Sequence, residues 1–358
     1  MKLLDLFSGI GGFHLGLEQS GFEFDWVGFS EIDKYASKQY KKRFPNATEL
    51  GSVTDIQCES LPKHIDILSG GFPCQSFSIA GLRGGFEDTR GTLFFEIVRI
   101  LRHYKDSGNP IPCFILENVK GLLSHDDGRT FAIIYRVLTD LNYSVECQLL
   151  NTRWFLPQNR ERIYIVGHFR GESRRKVFPI GESNGIYNKT RKIEKEIHSN
   201  NPKVGICLNA KAQNNWTGDF VMETQIADYR NDEGIRIRKD GDAPCLTASH
   251  HSENEPSRMQ GLVIKPVLTP ERAEKRQNGR RFKDDGEDMF TLTSQDQHGV
   301  MEGSNIRRLT PTECERLQGF PDGWTEGQSD TQRYKQLGNA VSVPVVKAVG
   351  EKLLKIIP

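Results

Sequence analysis

Covalent chemistry needs a side chain that can attack, and the best placed one in this chain is a cysteine. Cys74 stands in Gly70-Gly71-Phe72-Pro73-Cys74-Gln75-Ser76-Phe77-Ser78, just after the apolar run Ile65–Leu68. The run reads as a short buried strand, and the glycines and proline as its exit, so Cys74 is carried on a loop at a strand end. Cys113, inside the apolar stretch Cys113–Leu116, reads instead as a core thiol. A thiolate is an intrinsically strong nucleophile, so a loop cysteine in this setting points to nucleophilic covalent catalysis. The chain has seven cysteines, an odd number at wide spacings with no CxxC pair, which argues against a disulfide framework or a cysteine zinc site. The nine histidines show no ligand spacing either, and no metal is expected.

A second constellation lies at the start. A strand reading Lys2–Phe7 runs into Phe7-Ser8-Gly9-Ile10-Gly11-Gly12 and then into a helix through about Gln19. Glycines there let backbone N–H groups approach a ligand, and the helix N-terminus favours negative charge. The next strand ends at Ser30-Glu31, where a carboxylate can take both hydroxyls of a ribose. Asp55-Ile56 follows a third strand position and can sit beside an adenine amino group. No GxxxxGK[ST] phosphate clamp is present, so a cofactor with ribose and adenine but no polyphosphate is indicated. S-adenosylmethionine fits that description, and a dinucleotide is not excluded by it.

The elements that must hold these residues alternate between strand and helix. Asp25–Phe29, Ile65–Leu68, Cys113–Leu116, Val145–Leu150 and Arg162–His168 read as strands. Asp33–Arg43, Gly91–Tyr104 and Thr130–Leu141 read as helices. This pattern predicts an α/β fold with a doubly wound, mostly parallel sheet. From about Gly171 to Asn305 the chain turns polar, with weak periodicity, before helical patterns return at Thr310–Gln318 and Val341–Ile357. Within the polar stretch, Lys239–Ser249 (KDGDAPCLTAS) echoes Lys283–Ser294 (KDDGEDMFTLTS), as two similar hairpins would.

The 358 residues suffice for two domains, and 36% hydrophobic with 27% charged residues is an ordinary soluble composition. Net charge is +1, so any nucleic-acid footprint must be local, in ESRRKVF, EKRQNGRRFKDD or NIRRLT. No apolar run approaches the roughly 18 residues a membrane span needs. The N-terminus does not read as a signal peptide, because Asp5 interrupts its apolar stretch. A cytoplasmic protein with no membrane partner is expected, and a monomer.

The loop GFPCQSFSIAG resembles the catalytic loop of the DNA cytosine C5-methyltransferase family, in its bacterial restriction-modification form. DLFSGIGG resembles that family's cofactor loop, and Ile115-Leu116-Glu117-Asn118-Val119 its Glu-Asn-Val signature. Gln158-Asn159-Arg160-Glu161-Arg162 matches its Gln-x-Arg-x-Arg motif. Arg308-Leu309-Thr310-Pro311 to Gln318-Gly319-Phe320-Pro321 and Gln336-Leu337-Gly338-Asn339-Ala340-Val341 match its last blocks. The resemblance covers 1–168 and about 306–358, in family order.

What the resemblance implies is specific. Cys74 adds to C6 of cytosine, giving an enamine whose C5 can attack a sulfonium methyl, and Arg162 is the candidate for lowering its pKa. Glu117 hydrogen-bonds N3. Arg162 contacts the O2 side and holds Glu117, while Arg160 lies near the phosphate; these two roles can be exchanged. S-adenosylmethionine is the implied cofactor, touched by Phe7, Gly9, Gly11, Glu31, Ile32, Asp55, Ile56, Pro73, Leu93, Asn339 and Ala340. Ile32 stands where the family often has an aromatic residue. The implied partner is duplex DNA, with a cognate restriction endonuclease possible.

The target carbon lies inside the duplex stack, so the base must be flipped out. Ser76–Thr92, with Gly81, Gly84, Gly85, Arg83 and Arg90, has the composition of a lid on DNA. The expected organisation is a catalytic, cofactor-binding domain of 1–170 plus 331–358. A smaller, irregular, β-rich target-recognition domain of 171–330, including a hinge helix, completes it, and Arg280, Arg281 and Lys283 are expected near phosphates. A tRNA cytosine methyltransferase and a catalytically silent DNA-binding paralogue are the alternative readings. An NAD-dependent oxidoreductase on the same sheet would leave Cys74 unexplained.

Overall fold

The computed structural model describes residues 1–73, 93–169, 176–180, 227–230, 234–237, 264–270, 280–284, 287–302 and 305–357. Side chains are described at all of these except 227–230, 234–237, 264, 302 and 305. The chain divides into two compact units. The first comprises 1–151, 161–224 and 340–358, and the second 152–160 and 225–339.

The first unit is built on a seven-stranded sheet. Its strands are β1 (Lys2–Leu6), β2 (Trp26–Ser30), β3 (Thr48–Glu49), β4 (Ile67–Gly71), β5 (Cys113–Val119), β6 (Tyr143–Asn151) and β7 (Glu161–Phe169). Their order across the sheet is β3-β2-β1-β4-β5-β7-β6. The first five pair in parallel, and β7 runs antiparallel between β5 and β6. This is the predicted mostly parallel, doubly wound sheet. The runs β1, β4 and β5 are almost wholly buried because a parallel sheet is covered on both faces, and the polar residues they carry, Asp5, Ser69, Glu117 and Asn118, are buried with them.

The helices of this unit are α1 (Gly12–Gln19), α2 (Lys34–Arg43), α3 (Leu93–Asp106), α4 (Arg129–Asp140) and, at the C-terminus, α7 (Val343–Leu354). In α3, Phe94, Ile97, Val98 and Leu101 recur at helical spacing and are buried against Leu4, Leu68 and Phe114 of the sheet. Each such side chain contributes about 1.5–3 kcal/mol by leaving water. The C-terminal α7 packs on α1, where Gly16 leaves room for Val346. The chain end thus returns beside the first βα turn.

The second unit carries the smaller β-rich part. β8 (Ala227–Arg230) and β9 (Gly234–Ile237) form an antiparallel pair. β10 (Ile264–Leu268), β11 (His298–Glu302) and β12 (Asn305–Arg308) form a three-stranded antiparallel sheet. Two helices follow, α5 (Pro311–Gln318) and α6 (Asp330–Asn339). α5 begins where the sequence signals it: Thr310 and Glu313 form a reciprocal capping box, and Pro311 sits in the first turn. The turns after α5 are gathered by the buried carboxylate of Glu315, which accepts from Gly323 N (2.7 Å), Thr325 N (2.8 Å) and Arg333 Nη2 (3.1 Å).

Several elements differ from the sequence reading. β4 runs three residues beyond Leu68, because Ser69, Gly70 and Gly71 keep register with Asp5 and Leu6 of β1 and with Ile115 to Glu117 of β5. A side chain at Gly70 would meet the Leu6 carbonyl at 2.8 Å, so glycine is what lets the pairing continue. Asp55 lies on a short 3-10 turn, Val53–Asp55, and not directly after β3. α6 is a helix the sequence pattern does not predict, because DTQRYKQLGN is polar along most of its length. The segment Lys283–Ser294 forms no hairpin among its described residues; its bridge at Met289 goes to Gln158 instead. Its echo, Lys239–Ser249, lies outside the described residues.

Candidate active site

The site follows from the sheet order. β1 lies between β2 and β4, so successive connections leave it toward opposite edges. A doubly wound sheet opens a crevice at such a point, beyond the carboxyl ends of its strands. Phe7–Gly11 follows β1, Glu31 follows β2, Gly71–Pro73 ends β4 and Glu117 nears the end of β5.

The turn after β1 has the backbone shape its glycines suggest. Phe7, Gly9 and Gly11 all have positive φ, at 52°, 55° and 86°. Space at Gly9 is open, so glycine is needed there for conformation, whereas a Cβ at Gly11 would strike the Phe44 ring at 2.6 Å. Glu31 is fixed by two backbone donors: Gly9 N to Oε2 and Asp33 N to Oε1, both 2.8 Å. Each carboxylate oxygen has a second acceptor position, which suits a pair of vicinal hydroxyls. Ile32 beside it is 77% exposed, an apolar surface at the mouth of the crevice. Asp55 is exposed and Ile56 buried. Pro73 is exposed, and Leu93, the first residue of α3, is half-buried. Thus Phe7, Gly9, Gly11, Glu31 and Ile32 come together around the ends of β1 and β2, with Asp55 and Ile56 on the turn after β3.

Glu117 is buried at the end of β5. Antiparallel register puts Arg162 of β7 opposite Val119, on the same face as Glu117 and diagonal to it. Arg162 Nε lies 3.0 Å from Glu117 Oε1, and its Nη1 donates to Glu161 O at 2.8 Å. Gly71 lies opposite Glu117 on β4, and a Cβ there would come within 3.2 Å of Glu117 Oε2. The glycine therefore leaves the carboxylate its space. Next to it, buried Asn118 donates through Nδ2 to Phe72 O at 2.8 Å, while its Oδ1 accepts from Val119 N at 2.8 Å. That bond ties β5 to the chain two residues before Cys74. Cys74 itself, with Arg83, Arg90 and the rest of 74–92, lies outside the described residues.

Beneath the β1 turn sits a buried polar chain. Asp5 is fully buried in β1; Ser69 Oγ donates to its Oδ1 at 2.7 Å, and the Tyr40 hydroxyl lies 3.3 Å from its Oδ2. Tyr40 also meets His14 Nδ1 at 3.0 Å, and His14 Nε2 faces Glu18 at 3.1 Å. Burial pushes the Asp5 carboxyl up to about 8, against the hydrogen bonds from Ser69 and Tyr40, and Glu31 adds to the rise.

Comparison with known proteins agrees with these features. The chain matches the model of the C-5 cytosine-specific DNA methylase family over residues 1–355. It belongs to that family. The chain is 35% identical to an orphan methyltransferase of Bacillus phage SPR, covering 99% of this chain and 97% of that protein. It is 37% identical to the Type II methyltransferase M1.ScrFI of Lactococcus lactis subsp. cremoris, covering 99% of this chain and 78% of the relative. A crystal structure of Spodoptera frugiperda DNMT2 shares the fold at a TM-score of 0.55 and 19% identity, over 99% of this chain and 98% of that one. The protein is therefore a DNA cytosine-5-methyltransferase.

The remaining sequence-predicted residues of this methylase fall in the two units as follows. Ala340 is buried in the first unit; Asn339 is exposed at the end of α6 in the second. Arg160 is buried in the second unit, where Nη1 donates to Leu292 O (2.7 Å) and Nη2 to Gly338 O (3.2 Å). A Cβ at Gly338 would lie 2.3 Å from the Thr293 backbone, so the last motif packs tightly on the segment Arg160 also holds. Arg280 pairs with Glu287 (2.8 Å) and Asp284 (3.0 Å), Lys283 donates to Asp288 O at 2.6 Å, and Arg281 to Thr269 O at 3.3 Å. Asn118 and the Asp5 chain were missed as positioning groups. An acid inside the apolar run Leu3-Leu4-Asp5-Leu6 was the signal for Asp5.

Proposed function

We propose that this methylase transfers the methyl group of S-adenosylmethionine to C5 of a cytosine within a specific duplex DNA sequence, through a Cys74 adduct at C6 of a flipped-out base. The observation that carries this reading is the Glu117–Arg162 pair at the carboxyl edge of the sheet, with Asn118 holding the Phe72 carbonyl just before Cys74.

Cytosine C5 becomes nucleophilic only when a nucleophile has added at C6. Cys74 supplies that attack. Electron density then builds at N3, and Glu117, presented as the acid, hydrogen-bonds it there. Arg162 holds the Glu117 carboxyl by its Nε and supports the O2 side of the base. Arg160 donates to the Leu292 and Gly338 carbonyls in the second unit and is assigned a place near the phosphate.

Glu31 takes the ribose hydroxyls, Asp55 and Ile56 the adenine edge, and Phe7, Gly9 and Gly11 the close approach along the β1 turn. Ile32, Pro73, Leu93, Asn339 and Ala340 complete the cofactor's surroundings. The bound cofactor supplies an electrophilic methyl on sulfonium sulfur. The fit rests on the open space at Gly9 and on the doubly anchored Glu31 carboxylate.

Choice of sequence is assigned to 171–330, with the remainder of the chain catalytic. A cognate endonuclease is the partner if the chain follows its Type II relatives, whereas the phage relatives are described as orphan enzymes. A cytoplasmic location goes with a DNA substrate.

Bisulfite sequencing of plasmid DNA from cells expressing the protein tests the reading and identifies the target motif. Protected cytosines at one motif, absent with Cys74→Ser, are the expected result. Unprotected DNA, or methylation of tRNA alone, would sink the proposal.

A further inference from the structure

Arg99 lies on α3, and its guanidinium is committed to one short piece of backbone. Nη2 donates to Val53 O at 3.1 Å and Nη1 to Ile56 O at 3.0 Å. Nη1 also lies 3.4 Å from Cys58 Sγ. Glu96, one turn earlier on α3, accepts from Arg99 Nε at 2.7 Å and sets the orientation of the fork. The carbonyls at 53 and 56 bracket the 3-10 turn Val53–Asp55, whose start is capped by Ser52 Oγ accepting from Thr54 N.

A turn this short cannot satisfy its own carbonyls, which need outside donors. A planar guanidinium with several donors in fixed geometry serves two of them at once at a set spacing; a lysine has three donors but on a single nitrogen without that spacing. The sequence of the turn, Ser52-Val53-Thr54-Asp55-Ile56, caps its own start through Ser52 but has no side chain that donates to the Val53 or Ile56 carbonyl among the described bonds. Asp55 is exposed, and Thr54 Oγ1 of the same turn donates to its Oδ1 at 3.1 Å, so the course of the turn decides where its carboxylate points.

We propose that Arg99 is a positioning residue for the cofactor: it clamps the 53–56 turn to α3 and so presents Asp55 and Ile56 to the adenine. This rests on the reading of Asp55 and Ile56 as adenine contacts. Because Leu93 begins the same helix, the clamp also fixes the spacing between two of the elements assigned to the cofactor. Freed from Arg99, the turn is served by water, and Asp55 samples orientations that miss the ligand.

The test is a double-mutant cycle read by calorimetric titration of S-adenosylhomocysteine, a non-reacting probe, into the full-length protein. Arg99→Gln is expected to raise Kd about tenfold, Arg99→Lys to recover part of it, and Asp55→Ala to raise Kd by a similar factor. The double variant should bind no more weakly than the weaker single variant, because both changes act through Asp55. In steady-state methylation, Arg99→Gln should raise KM for the cofactor and leave kcat at saturation within about twofold. A thermal melt run alongside identifies loss from unfolding, and in that case Arg99→Lys carries the cycle. Unchanged Kd in Arg99→Gln, or strictly multiplicative losses in the double variant, would overturn the clamp. Unchanged Kd in Asp55→Ala would instead overturn the adenine reading on which the clamp rests.

Discussion

Replacing Asp5 by Asn should stabilise this protein, by an amount that grows with pH. Asp5 is fully buried under the β1 turn, and its carboxyl is raised from the ordinary 3.8 to about 8, chiefly by desolvation. At pH 7 the folded protein therefore keeps a proton there that the unfolded chain has released. A raised acid pKa contributes stability that is complete below pH 3.8 and is lost as pH climbs toward 8. At 1.36 kcal/mol for each pH unit, the interval from 3.8 to neutrality amounts to about 4 kcal/mol, and the loss levels off near 6 kcal/mol above pH 8.

Asparagine has the shape of the protonated acid. Its Oδ1 can accept from Ser69, and its Nδ2 can donate to the Tyr40 oxygen, with Tyr40 then donating to His14. The substitution keeps the contacts and removes the titration. Urea unfolding of both proteins at pH 5, 6, 7 and 8, followed by circular dichroism, measures the difference. The two stabilities should lie closest at pH 5 and separate by about 4 kcal/mol between pH 5 and 8. Parallel curves, or a variant less stable than the parent at pH 8, would show that Asp5 is ionised in the fold and would refute the reasoning.

Three further outcomes follow from the site. Glu117→Gln should lower kcat by about 10²–10⁴, and single-turnover methylation at the parent rate would count against an acid at position 117. Gly71→Ala puts a methyl 3.2 Å from Glu117 Oε2 and should cost activity about tenfold through displacement of that carboxylate; a fully active variant would mean the carboxylate does not need its present position. Arg160→Ala leaves the Leu292 and Gly338 carbonyls without their buried donor and should destabilise the fold by about 3 kcal/mol, seen as a lowered urea midpoint; an unchanged midpoint would assign Arg160 to the ligand and not to the fold.

Much of the catalytic framework was legible because it depends on local rules. Alternating strand and helix periodicity specified the doubly wound sheet, and the glycine-rich run after β1 announced a turn there, whose Gly9 and Gly11 have positive φ. Motif order then placed Glu31 and Glu117 at strand ends. The polar middle was not legible: β10 to β12 are short, their alternation is weak, and the segment around Met289 pairs with Gln158, more than a hundred residues earlier. Helix α6 was hidden for a related reason, since its sequence DTQRYKQLGN is polar and its buried residues are only Gln336, Leu337 and Gly338.

By itself, then, the sequence determined at which edge of the sheet the candidate side chains on β1, β2 and β5 stand, because strand direction and period are local properties. It could not determine how those side chains meet. The 3.0 Å contact of Arg162 with Glu117 depends on an antiparallel register between β5 and β7, and strand order is a property of the whole sheet. The bond from Asn118 to Phe72 needs β4 and β5 to lie side by side, although the two residues are 46 apart in the chain. Asp5 looked like an interruption of an apolar run; only burial among Ser69, Tyr40 and His14 makes it an acid that keeps its proton at neutral pH. Desolvation is set by everything packed around a group, and that is decided in three dimensions.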